Sequence, residues 1–503
     1  MYKILRRCRV VLSLLFLIAF TLIFIDIYGS ISIKLIGLLK WQIVPSILGI
    51  ASGSLAMLST LLLITFFFGR VYCSTLCPLG TFQDGITRVA NVFKTKKQKR
   101  FNYDKPKNYW RYGIFTIALA LFVAGSTAFL LWLDPYSNYG RVAENLFRPI
   151  VIFGNNLLTH VSDSIPSHQF KELVWSSSLA AAVLLLLVAG FSAFRGRLWC
   201  NMICPVGSFL GLISRYSAFR ISIDKETCTG CSLCERKCKA QCIDAKAKVV
   251  DHSRCVQCLN CMQVCSANAI KHRYSFAKKS VNAEPNDPSL RRTLIGSIGT
   301  LGAAAVYHAV GSPLRITSQN TKAIAPPGAR SVEQLKKHCT ACHACVANCP
   351  TQVLRPAVGE YGIDGFMLPV MDYNLSFCNY ECTVCSGVCP NGALTPLTVE
   401  EKVITQIGKA VFYKDRCVVV RDGTDCGACD EHCPTKAVRM VPYEGDLLIP
   451  FVDQSICVGC GGCEYICPAR PRAIIVAANP EHLIAEKPEV QEQEEIVVDD
   501  FGF

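Results

Sequence analysis

Four long apolar runs, at roughly 10–28, 45–68, 110–133 and 175–194, dominate the first part of the chain. Each has about the 20 residues that a helix needs to cross a ~30 Å hydrocarbon core. The first follows MYKILRRCR but lacks a small-x-small cleavage site, and three more runs follow it. It therefore reads as a retained anchor rather than a signal peptide, with Cys8 a lone helix residue beside it. A fifth, milder run, LRRTLIGSIGTLGAAAVYHAVG at 290–311, lies behind the paired Arg291 and Arg292. It reads either as an internal twin-arginine signal or as an ordinary span. The pattern predicts a multi-pass α-helical membrane domain with four spans plus this fifth, twin-arginine-like one.

Charge orients the spans. Through residue 311 the net formal charge is +22; beyond it the balance is −8. The basic residues cluster beside apolar runs, as orientation signals do, so nucleic-acid binding is not expected. The stretch from Arg70 to Arg111 includes Lys94, Lys96, Lys97, Lys99 and Arg100, whereas 134–174 is slightly acidic. Positive loops stay cytoplasmic, which places the N-terminus, the 69–109 loop and the segment after 195 inside. Residues 312–503 then fall on the outer side of a bacterial cytoplasmic membrane.

Thirty cysteines in 503 residues change the picture from a simple membrane protein to a metal-rich one. Cys228, Cys231, Cys234 and Cys238 follow C-x2-C-x2-C-x3-C, and Cys255, Cys258, Cys261 and Cys265 repeat it. Four further runs comprise Cys339, Cys342, Cys345 and Cys349; Cys378, Cys382, Cys385 and Cys389; Cys417, Cys426, Cys429 and Cys433; and Cys457, Cys460, Cys463 and Cys467. A cubane takes three thiolates from one tight loop and a fourth from a companion motif. Six such runs predict six 4Fe–4S clusters in α+β ferredoxin-like domains on both sides of the membrane. Zinc knuckles lack the third close cysteine. In the first pair, crossing puts Cys265 with Cys228, Cys231 and Cys234, and Cys238 with Cys255, Cys258 and Cys261. Cys242 is surplus and offers an alternative to Cys238. The opening of CTACHACVANCP (339–350) also fits the C-x-x-C-H haem pattern, but that reading strands Cys345 and Cys349 and leaves His343 a loop residue.

Two further motifs follow the second and fourth runs: GRVYCSTLCPLG with Cys73 and Cys77, and GRLWCNMICPVG with Cys200 and Cys204. They mark an internal duplication. Facing each other, the halves bring four thiols together, to hold a further metal or cluster or to work as redox-active thiols.

The apolar runs, these C-x3-C-P motifs and the inner cysteine pair, together covering residues 1–275, resemble NapH-type membrane quinol dehydrogenase components, with MauN and the C-terminal part of NosR as relatives. Residues 285–475 resemble NapG-type exported four-cluster ferredoxins. The whole is similar to a fusion of the two. The resemblance implies oxidation of menaquinol or ubiquinol in the bilayer and delivery of electrons to a periplasmic reductase or carrier. It implies the following layout: a membrane domain at 1–220, a cytoplasmic two-cluster domain at 221–275, the twin-arginine-like segment at 285–311, a linker at 312–330, a periplasmic four-cluster domain at 331–480, and an acidic disordered tail at 481–503. It also implies that the first outer motif pairs with the fourth and the second with the third. Cys467 would then complete the Cys339/Cys342/Cys345 site, Cys349 the Cys457/Cys460/Cys463 site, Cys433 the Cys378/Cys382/Cys385 site, and Cys389 the Cys417/Cys426/Cys429 site.

The chemistry expected is electron transfer, with Cys73, Cys77, Cys200 and Cys204 at its centre. Quinol also needs a proton acceptor, for which Asp134 in WLDPYSNYG, with Tyr136 nearby, is the candidate. Arg70, Tyr72, Arg197 and Trp199 either line an inner quinol pocket or anchor the helices at the interface. A different class of function, an assembly factor reducing metal or thiols for a partner, shares the C-x3-C-P motif with copper-reducing membrane proteins. Two inner and four outer clusters lie on either side of the apolar slab, and no haem-ligand pair in the spans links them.

Overall fold

The computed structural model describes residues 2–50, 53–95, 98–124, 126–163, 165–168, 174–274 and 323–487. The fifth apolar run at 290–311 therefore lies outside the described residues. Among the described residues, two helices are long and apolar enough to cross a membrane: α1 (Tyr2–Ile25) and, from the fourth run, the helix Trp175–Arg195. Both turn apolar side chains outward, among them Leu12, Leu15 and Ile18 on the first and Val183, Leu186 and Leu187 on the second.

The second and third runs are not the continuous helices that their hydropathy predicts. The second divides into Ile43–Leu48 and α2 (Leu55–Phe68). Between them Gly53 stands at φ +90°, a conformation glycine adopts without steric cost. The third divides into Asn108–Val123 and Ala128–Leu133. Apolar composition records burial or lipid contact, and it does not report where a glycine-bearing stretch breaks the hydrogen-bond ladder.

Between these pieces run α3 (Pro78–Phe93), α4 (Asn108–Val123), α5 (Pro135–Val142), α6 (Trp175–Arg195) and α7 (Pro205–Ser214). The first cysteine-rich module is framed by β1 (Phe219–Ile223) and β2 (Ile270–Tyr274), antiparallel with Ile223 opposite Ile270. The module from 323 to 487 is closed by β3 (Thr405–Phe412) and β4 (Ile474–Ile484), antiparallel with Phe412 opposite Ile474. Small antiparallel pairs around cysteine loops are the α+β ferredoxin pattern expected.

Two expected boundaries move. Residues 323–329 are buried rather than a free linker: Met371 N donates to the Ile324 carbonyl and Thr395 N to the Gly328 carbonyl. Likewise, the segment after 480 continues β4, and Ala485 N donates to the Ile404 carbonyl.

The two modules grip opposite ends of α1. Arg6 Nε donates to Asn260 Oδ1 (2.8 Å) of the first module, and Asn348 Nδ2 of the second donates to the Ile23 carbonyl (3.2 Å). Those positions on α1 are about 26 Å apart at 1.5 Å rise per residue. Trp132 stacking on Phe366 (5.5 Å between centroids) and Thr127 Oγ1 donating to the Lys336 carbonyl (2.7 Å) fix the second module at the Ile23 end. The Ser253 carbonyl, beside Cys255, fixes the first at the other end by accepting from both Arg70 (3.0 Å) and Arg111 (2.8 Å).

Candidate metal centres

None of the thirty cysteines is in a disulfide. In the first module Cys228, Cys231, Cys234 and Cys265 line one cavity, which is the crossed set expected. Cys258 and Cys261 lie within electrostatic reach of Cys238, the other crossed ligand. Cys242 Sγ is 3.5 Å from Cys238 Sγ. The contact, outweighing burial, holds the Cys238 thiol below its ordinary range and drives Cys242 up. Either sulfur can donate across it, and Cys242 also lies within electrostatic reach of Cys255, so both stand beside the second set.

The second module departs from the pairing that the resemblance implied. Cys345 lies within electrostatic reach of Cys339, Cys342 and Cys389, and Cys385 within reach of Cys378, Cys382 and Cys349. Cys433 shares a cavity with Cys457, Cys460 and Cys463, which leaves Cys467 for Cys417, Cys426 and Cys429 in the same core. The motifs therefore cross first with second and third with fourth. The reason is topological: β3 and β4 bracket the third and fourth motifs and hold them as one unit. On this geometry, C389A is expected to reproduce the low-temperature electron paramagnetic resonance change of C339A. Matching C417A instead would restore the implied pairing.

Among the described residues, no three ligand-type side chains close to the distance of a single bound ion. Two of the sets, Cys228/Cys231/Cys234/Cys265 and Cys433/Cys457/Cys460/Cys463, line cavities, an arrangement suited to a multi-iron cluster rather than to a lone zinc.

The C-x3-C-P pairs form a centre of their own. In both repeats the second cysteine is the N-cap and proline the first residue of a helix, α3 or α7, where proline's missing N–H costs nothing. Cys77 Sγ accepts from Gly80 N (3.4 Å) and Cys204 Sγ from Gly207 N (3.3 Å). Each thiol therefore sits at a helix N-terminus, whose N–H offsets only part of the burial that pushes the thiol up. Gly69 and Gly196, both at positive φ, end α2 and α6 and turn the following arginine inward. The arginines then cross between repeats. Arg70 Nη2 donates to the Cys200 carbonyl (3.1 Å) and Arg197 Nη1 to the Cys73 carbonyl. Cys77, Cys200 and Cys204 each lie within electrostatic reach of Cys73 and of one another. The four thiols that the repeat placed on paper do converge, and they are buried.

Arg70, Tyr72, Arg197 and Trp199 are also buried, so none is an interfacial anchor. The arginines clamp the cysteine loops, Tyr72 Oη donates to Gln42 Oε1 (2.7 Å), and Trp199 packs on Phe191. Asp134 is the N-cap of α5, its carboxylate accepting from Ser137 N (2.9 Å) and Ser137 Oγ (2.7 Å). Its hydrogen bonds are those of a turn former. Tyr136, two residues on, lies within electrostatic reach of Cys342 of the second module. Residues that sequence reasoning missed are Gly80 and Gly207, where a Cβ would strike the Cys73 and Cys200 carbonyls, and Arg111, which holds Ser253. The repeated C-P-x-G was the available signal for the glycines. His343, expected as a loop residue, is buried between Glu144 (3.3 Å), Asn145 (3.2 Å) and the Met367 carbonyl (3.2 Å).

Comparison with known proteins agrees with this chemistry. A family model described as a 4Fe-4S binding domain matches residues 51–100 and 177–224, the two C-x3-C-P repeats. A 4Fe-4S dicluster domain matches 424–470, and another 4Fe-4S binding domain matches 248–271. An uncharacterized protein of Methanocaldococcus jannaschii is 27% identical over 216 residues, 42% of this chain and 66% of that protein. The methylamine utilization ferredoxin-type protein MauN of Methylobacillus flagellatus is 26% identical over 232 residues, 44% of this chain and 70% of MauN. The methylamine utilization ferredoxin-type protein MauM of Methylophilus methylotrophus is 31% identical over 207 residues, 39% of this chain and 90% of MauM. No solved structure matches the chain. Cysteine sets, 4Fe-4S domain matches and near-complete coverage of MauM together assign the chain to the ferredoxin-type 4Fe–4S electron-transfer proteins that include MauM.

Proposed function

We propose that this chain is a membrane-embedded electron conduit that oxidises quinol in the bilayer and passes electrons outward to a periplasmic reductase or carrier. It combines the work of a NapH-type membrane component and a NapG-type ferredoxin in one polypeptide. The observation that carries the reading is continuity. One buried core joins Cys238, Cys255 and Cys261 of the first module to Cys73, Cys77 and Cys204, then through Tyr72 and Tyr136 to Cys339, Cys342 and Cys345 of the second. Contacts at both ends of α1, about 26 Å apart, suit modules on opposite faces of a ~30 Å apolar slab.

The chain's residues suit the groups this function needs. Six crossed cysteine sets would hold six 4Fe–4S clusters, and Cys73, Cys77, Cys200 and Cys204 a further one between them. Bound clusters supply one-electron carriage. The protein's part is to space the sets, to exclude water around them, and to neutralise the thiolates between the modules with the buried Arg70 and Arg197. Tyr72 lies within electrostatic reach of both Cys77 and Asp134, and Tyr136 within that of Cys342. The four-thiol centre thus supplies the step between faces that the spans otherwise lack.

Membranes containing the protein, given a menaquinol analogue without oxygen, are expected to bleach the iron–sulfur absorbance of the chain. If dithionite bleaches it and quinol does not, the donor is not quinol.

A further inference from the structure

A large cleft outside the cysteine centres lies where the start of α1, the end of α3 and the first cysteine module meet. It has a volume of about 540 Å³ and is lined by Arg6, Arg88, Lys99, Lys237 and Lys239, with Thr87, Asn91 and Asn260 between them. No carboxylate lines it. Lys239 is paired with Asp84 (3.3 Å) and Arg6 is hydrogen-bonded to Asn260. Among the described residues, Arg88, Lys99 and Lys237 have no carboxylate partner. Cations gathered in a concave site repel one another, so such a cleft stabilises the fold best with an anion inside it.

Its position identifies the kind of anion. Val89, Val92 and Phe93 on the last turns of α3 are strongly exposed, and Val92 lines the cleft. Beside them, Lys94 crosses to the Ala193 carbonyl and over the Phe194 ring (5.3 Å), at the end of α6 where its apolar run gives way to Arg195. A lysine laid along an apolar helix end with its ammonium at the boundary marks the headgroup level. Arg6, in the first turns of α1, stands at the same end of the membrane domain. The cleft therefore presents phosphate-binding side chains beside an apolar shoulder.

From these observations we propose that the cleft binds the phosphate headgroup of an anionic phospholipid from the inner leaflet, its acyl chains lying along Val92 and Phe93. The lipid would tie α1 and α3 to Lys237 and Lys239, which flank Cys238, and so lock the first module onto the membrane domain. The inference rests on the membrane reading of α1 and α6; recovery of the full chain in washed membranes tests that reading separately.

The test titrates full-length protein in neutral detergent with phosphatidylglycerol and follows thermal unfolding. Phosphatidylcholine, inorganic phosphate and poly-glutamate serve as separate arms. A saturable rise in Tm with phosphatidylglycerol alone is expected. In the triple variant R88Q/K99Q/K237Q the apparent affinity should fall roughly a hundredfold, since each basic residue near an anionic surface contributes about a fivefold factor. Unchanged iron–sulfur absorbance confirms that the variant is folded; should it not be, K99Q alone, at an exposed loop position, should weaken binding about fivefold. An undiminished response in a folded variant overturns the proposal. So does an equal shift with inorganic phosphate, which would mark a free-phosphate site, or with poly-glutamate, which would mark an acidic-protein surface.

Discussion

Replacing Cys73 and Cys200 with alanine is expected to stop quinol-driven reduction of the outer clusters while leaving the six cysteine-run clusters in place. The two residues come from different repeats, so the double variant C73A/C200A removes half of the four-thiol set. Iron content should fall by about four atoms per chain, the complement of one cubane. Both cysteines are buried, and each backbone carbonyl is held by the arginine of the other repeat, which alanine leaves untouched. The fold should therefore persist, with a loss of about 1–3 kcal/mol for two buried side chains shortened by one heavy atom. Loss of all clusters together would instead mean that the centre is an architectural core.

The second large effect concerns Asp84. Its carboxylate meets Arg197 at two points, Nε to Oδ1 at 2.9 Å and Nη2 to Oδ2 at 2.9 Å, and Lys239 at 3.3 Å. Burial would raise the Asp84 pKa, but the charges of Arg197 and Lys239 outweigh it and hold the carboxyl well below its ordinary range. In D84N the Arg197 guanidinium, buried against the Cys73 carbonyl, keeps its charge and loses its counter-ion. Removing one partner of a buried pair costs about 3–5 kcal/mol. D84N should therefore lower Tm markedly and shed the four-thiol cluster first. The pH dependence has a definite sign. A depressed folded pKa contributes stability that is fully present above the unfolded value near 3.8 and is lost as pH falls below it. The wild-type contribution should be constant across neutral pH and fade only in acid, whereas D84N should show no such acid step.

Some of this was legible in the sequence and some was not, for identifiable reasons. The cysteine runs could be read directly, because three ligands of a cubane come from one short loop and their spacing is local. The fourth ligand is tertiary. In the first module only one partner motif exists, so the crossing to Cys265 was forced and only Cys238 or Cys242 was open, whereas in the second four motifs left the choice to how β3 and β4 fold the chain. The resemblance supplied the wrong choice. The duplicated Gly-Arg-x-aromatic-Cys element announced that the repeats face each other, yet nothing local says that Arg70 reaches Cys200 and Arg197 reaches Cys73. Asp134 precedes a proline at a helix start, and the capping role that such a position ordinarily has is the one observed. The apolar runs located the helices of the first part of the chain, but hydropathy is blind to breaks such as that at Gly53.

The central claim is that electrons cross between the two modules through the four-thiol centre. Proteoliposomes with the first module facing outward, ferricyanide trapped inside and impermeant dithionite added outside, test it most directly. The account predicts that trapped ferricyanide bleaches with wild-type protein and that C73A/C200A, carrying its remaining clusters, bleaches no faster than protein-free liposomes. Equal rates for variant and wild type would contradict it.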